Sequence, residues 1–94
     1  MKKVVVAAGT SDNKRNFAVN YIKSYLEKKG IEAEVVGDNI YEIKIEELKP
    51  DVLVTIGPQN FTTDIPVIQG TVFVTKIGMD PVCDEIIEKL KQVF

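Results

Sequence analysis

The sequence predicts an α/β fold, an open four-stranded parallel sheet with flanking helices. Three observations point to it. Lys3 to Ala8 and Asp51 to Ile56 are short and rich in β-branched residues, with no polar alternation, as in strands buried on both faces. Between such runs lie segments whose apolar residues recur at helical spacing. Strand-like and helix-like segments take turns along the chain, and that order calls for parallel strands joined by right-handed crossovers.

The elements follow in order. Lys3 to Ala8 is the first strand. Asp12 or Asn13 can cap a helix that runs to Lys29, with Phe17, Ala18, Tyr21, Ile22 and Tyr25 on one face and Gly30 as its stop. Ile31 to Val36 is the second strand. A short helix follows between Ile40 and Leu48, although "YEIKIEE" also alternates as an extended segment would, and Pro50 ends it. "DVLVTI" is the third strand, closed by Gly57 and Pro58; "GPQNFTTD" is a loop, and "IPVI" is the fourth strand. Asp80 and Pro81 start a last helix, which carries Val82, Cys83, Ile86, Ile87, Leu90 and Phe94 to the end of the sequence.

Composition bounds the rest. With 94 residues, 45% of them hydrophobic, the chain can build one core, so residues 1–94 are expected to form one domain without an internal boundary. A net charge of -2, with 28% charged and 7% aromatic residues, belongs to an ordinary soluble protein. No apolar run is long enough to span a bilayer, so the expected location is the cytoplasm and not the membrane.

Cys83 is the only cysteine and histidine is absent. This excludes an internal disulfide, a CxxC redox pair and histidine-based acid–base or metal chemistry, and no metal or cofactor is expected. The acidic balance argues against nucleic acid as a partner. Lys28 and Lys29, at a helix end, complement the helix dipole.

The candidate site is "AGTSDNKRN", because ligands of open parallel sheets bind beyond the carboxyl ends of the strands. Backbone N–H groups of Gly9, Thr10, Ser11 and Asn13 would point outward at a helix N-terminus and favour a phosphate or another anion there. Gly9 allows close backbone approach, and Thr10 and Ser11 add hydroxyls. Lys14 and Arg15 place two cations in the first turn, against the helix dipole, and Arg15 would offer a charged fork. An anion would offset that repulsion. Asp12 is one such anion, so two readings stand side by side: a phosphate-binding loop, or a helix capped by Asp12 with solvated neighbours.

Two stretches resemble the enzyme IIB components of the bacterial sugar phosphotransferase system (PTS), in particular the galactitol type. The first is "KKVVVAAGT", where the family has a strand followed by Cys-Gly-Thr-Gly and a Thr-Ser pair. The second is "DIPVIQGTVFVTKIG", Asp64 to Gly78, close to the family's Asp-Ile-Pro, paired aliphatics, glycine turn, aromatic and closing glycine. The resemblance covers essentially the whole chain. It implies a PTS IIB-like α/β domain over residues 1–94, of flavodoxin-like or Rossmann-like architecture. It further implies a cytoplasmic phosphocarrier that takes a phosphoryl group from the A component and passes it to sugar at the membrane-embedded C component.

The pattern breaks at the acceptor. The family's cysteine position is Ala8; Gly9 and Thr10 match, and Ser11 replaces the next glycine. A hydroxyl of Thr10 or Ser11 would need a base or a metal to act instead. Asp12 could form an acyl phosphate only within an acidic metal pocket, for which Asp38 is the other obvious candidate. Cys83 lies in a first helical turn but also on the apolar stripe, where a buried structural cysteine is expected.

Three functions are therefore weighed: a IIB-type phosphocarrier, a non-catalytic interaction, regulatory or engineered version of that scaffold, and a general nucleotide or phosphate binder with Phe61 stacking on a ring. The favoured expectation is a IIB-like domain without phosphotransfer; if it does act, "AGTSDNKRN" is the place, and partners would then dock around this loop, using residues 57–63 and the region of Ile77 and Gly78.

Overall fold

The computed structural model describes residues 2–9, 12–57 and 64–92. Its elements are β1 (Lys2–Ala8), α1 (Asp12–Lys28), β2 (Ala33–Asn39), α2 (Ile45–Leu48), β3 (Val52–Ile56), β4 (Val67–Gln69), α3 (Val72–Thr75) and α4 (Met79–Gln92). The four strands form one sheet in the order β2-β1-β3-β4. All neighbours are parallel, with Val6 opposite Gly37 and Val54, and Val54 opposite Ile68. This is an α/β fold with the order of the first four strands of flavodoxin-like sheets.

Strand alternation gives the sheet two apolar faces. Val4, Val6 and Ala8 of β1, with Val52, Val54 and Ile56 of β3, join one core with α1, α3 and α4 through Ala18, Phe73, Cys83 and Ile86. Val5, Ala7 and Leu53 face the other way, against Ile40, Ile43, Ile45 and Leu48. Both central strands are thus covered on both sides, which is why they read as unbroken apolar runs.

α1 matches its expected face, with Ala18, Ile22 and Leu26 buried and Phe17, Tyr21 and Tyr25 partly so. It ends in a Schellman turn. The Gly30 N–H donates to the Glu27 carbonyl at 3.1 Å, the Ile31 N–H donates to the Leu26 carbonyl at 2.9 Å, and Gly30 takes φ 70°.

That turn explains the first correction. β2 starts at Ala33 and not Ile31, because Ile31 is still closing the helix, and it continues past Val36 to Asn39 because β1 offers partners as far as Ala8. Gly37, a poor strand former, is accepted there because α1 approaches closely. A Cβ on it would meet the Arg15 Cγ at 2.9 Å and the Val19 Cγ2 at 3.1 Å.

The expected helix over 40–48 shrinks to one turn, 45–48, since 40–44 is a turn that lays Ile40 and Ile43 on the sheet. α3 occupies a stretch to which the sequence assigns no element. Its Val-Phe-Val-Thr composition disfavours helix, but burial of Phe73 overrides that preference. The fourth strand is Val67–Gln69 and not 65–68, and the last helix begins at Met79, so Asp80 lies inside its first turn and does not cap it. The expected contact of Phe94 and the loop position of Phe61 lie outside the described residues.

Candidate functional site

The chain passes from β1 outward through α1 to β2, then returns across β1 to place β3 on its other side. Strand order therefore reverses between β1 and β3, and a crevice opens beyond their carboxyl ends. A cleft of about 380 Å³ lies there. Its floor is the end of the two strands, Ala8 with Gly9 and Ile56 with Gly57. Gly57 takes φ 115°, a conformation that suits glycine, as the chain turns away from β3.

The walls come from three other elements. Lys14 lines the cleft from the first turn of α1, while Thr71 and Val74 line it from the α3 side. Tyr41 closes the β2 side, with its ring so placed that a Cβ on Gly9 would lie 3.7 Å from the ring Cε2. Two side-chain turns hold the backbone that carries it. The Asn39 N–H donates to the Asp38 Oδ1 at 2.7 Å, and the Tyr41 N–H donates to the Asn39 Oδ1 at 2.8 Å. The Ile40 N–H donates to the Ala8 carbonyl at 2.7 Å, so the turn is sewn to the end of β1.

Gly9 lines the cleft, and Asn13 is exposed in the first turn of α1. Thr10 and Ser11 lie outside the described residues. Arg15 turns its stem over Gly37 and its guanidinium donates to the Asp12 carboxylate at 2.6 Å. It is Lys14, not Arg15, that lines the cleft. Both cations oppose the helix dipole, and Asp12 relieves part of that repulsion.

Ala8 is 2% exposed and presents only a methyl group at the floor. Cys83 is fully buried in the core made with α1 and α3. Burial pushes its thiol up to about 12, and the carboxylates of Asp80 and Asp84 push the same way. It is a protonated packing group at neutral pH, as expected for a cysteine on an apolar stripe. Among the described residues no three acidic or cysteine side chains gather as a metal site.

No protein-family model matches the chain, and no curated protein does either. Among solved structures it is similar to a flavodoxin from the domain Archaea, with 17% identity over 63% of this chain and 41% of that one, at a TM-score of 0.38. The similar region spans less than half of that flavodoxin's length. The fold here rests on strand order, direction and register.

Sequence reasoning located the crevice but missed Tyr41, Thr71 and Val74 as its walls. For Tyr41 a signal was present. "DNIY" after a strand places an Asn two residues before an aromatic, the spacing of an Asx turn that fixes the aromatic's backbone. α3 carried no comparable signal, because its place depends on Phe73 entering a core made of distant elements. Among the described residues no helix is long and apolar enough to cross a membrane.

Proposed function

We propose that this chain is a IIB-like domain of the sugar phosphotransferase type that recognises phosphate without carrying it, and that it works in the cytoplasm as a docking or regulatory relative of the phosphocarriers it resembles. The single observation that carries the reading is Ala8. It stands at the end of β1, on the floor of the crevice, where the resemblance puts the phosphoryl-accepting cysteine. A methyl group cannot attack phosphorus, and nucleophilic transfer needs an activated donor of an electron pair.

Other described groups do not take its place. The Cys83 thiol is fully buried and held protonated, and the Asp12 carboxylate is engaged by Arg15. What remains suits recognition. The Gly9 backbone and Lys14 meet at the cleft, Asn13 lies in the adjoining turn, and Thr10, Ser11 and Arg15 complete the anion loop in this reading. Ile77, 75% exposed beside Gly78, offers an apolar contact for the A or C component in this reading.

The test has two arms. Labelled phosphoryl groups offered from a phosphorylated A component are expected to leave the native chain unlabelled and to label Ala8→Cys. Label on the native chain would reveal another acceptor and overturn the loss of transfer, whereas an unlabelled Ala8→Cys would overturn the kinship with phosphocarriers. In the second arm, inorganic phosphate is expected to shift the amides of Gly9 and of residues 13–15 saturably in NMR spectra; unmoved amides would remove phosphate recognition.

A further inference from the structure

The cleft is shaped for more than an inorganic anion. Its floor, Ala8 and Ile56, is apolar, and Val74 adds an aliphatic wall on the α3 side. On the β2 side stands Tyr41, a residue 67% exposed although its backbone is fixed by the Asn39 side chain and by the bond from Ile40 to the Ala8 carbonyl. An aromatic ring held over a strand end, with so much of its surface uncovered, provides a face for another flat group. Lys14 brings positive charge to the same cleft. About 380 Å³ lies at the small end of the range for small-molecule sites, enough for a ring and an anionic group but not for a long chain of sugars.

We propose that this cleft binds an aromatic phosphate monoester, with the ring against Tyr41 above the Ala8 and Ile56 floor and the phosphate toward Gly9 and Lys14. The inference rests on the phosphate-recognition reading above and adds the class of group that the phosphate is attached to. Thr71, whose side chain makes no cap hydrogen bond to α3, lines the cleft beside Val74 and adds a polar side chain to that wall.

The experiment is an NMR titration of the full chain with three probes: inorganic phosphate, cyclohexyl phosphate and phenyl phosphate. Phenyl phosphate is expected to bind about three- to tenfold more tightly than the other two, the range for an aromatic contact. It should also displace the Ala8 methyl resonance by ring current, which cyclohexyl phosphate cannot do. Tyr41→Leu, at an exposed side chain, is expected to keep the fold and remove the preference for phenyl phosphate, and Tyr41→Phe to retain it. Equal affinity for all three probes would overturn the aromatic preference while leaving phosphate recognition intact. Absence of shifts at Gly9 with every probe would overturn both. Phenol is added as a fourth, uncharged probe, and its binding as tightly as phenyl phosphate would overturn the role of the anion.

Discussion

Asp12 and Arg15 decide how the anion loop behaves. Their 2.6 Å pair in the first turn of α1 occupies one N–H of the guanidinium and keeps a carboxylate beside the loop, whose charge works against a bound phosphate. On the proposed reading, Asp12→Asn raises phosphate affinity by about two- to fivefold, equivalent to one exposed charge near a helix terminus, and lowers stability by about 0.3–1 kcal/mol through loss of a favourable dipole interaction. Isothermal titration and urea unfolding read the two effects separately; a fall in affinity would mean that Asp12 itself organises the site. Gly70 is constrained differently. A Cβ there would come within 2.8 Å of the Val54 Cγ1, 3.0 Å of the Ile56 Cγ1 and 3.1 Å of the Thr55 carbonyl. Gly70→Ala is expected to destabilise by about 1–3 kcal/mol, as overpacked cores do, measured from the shift of the denaturant midpoint. At this scale the sequence was only partly legible. Ala8, Gly9 and Cys83 could be placed from the strand and helix that carry them, whereas the partner of Arg15 depended on its stem finding the gap at Gly37.

Among the elements, α1 and α4 are joined by a repeated contact. The Tyr21 hydroxyl donates to the Asp80 carboxylate, and one turn further on the Tyr25 hydroxyl donates to the Asp84 carboxylate at 2.6 Å. Both pairs have the same sequence offset of 59 residues, so the two helices run parallel and stay in register. The hydrogen bonds push both phenols up to about 12, with burial and the carboxylate charges acting in the same direction. The unfolded phenols titrate near 10, so this stabilisation is full below pH 10 and fades as pH rises towards 12. Chemical denaturation at pH 9 and pH 11 is expected to show a loss of stability that is smaller in Tyr21→Phe/Tyr25→Phe, the share that remains being that of the buried Cys83 thiol, which is also pushed up to about 12; an undiminished loss would place the alkaline sensitivity elsewhere. These helices were visible in the sequence because each is long enough to show its periodicity. α2 and α3, a single turn each, are too short for that, and their existence is decided by what they pack against.

Over the whole molecule, the alternation of elements led to a parallel sheet, and the general rule for such sheets led to the crevice between β1 and β3. The walls of that crevice come from both edges of the sheet, Tyr41 after β2 and Val74 after β4, and no local pattern could announce their meeting. At the other end of the strands the Lys2 ammonium donates to the Leu90 carbonyl, and the Lys3 ammonium donates to the Leu48 carbonyl at 3.1 Å. The start of β1 and the last turn of α4 therefore share one pole, and the cleft occupies the opposite one. An anchor attached at either of those two places would hold the molecule like a cup on its base, mouth outward. Immobilised through either place on a sensor surface, the protein is expected to bind phenyl phosphate with the same affinity as in solution, and a weaker affinity through either attachment would show that the base and the mouth are mechanically linked.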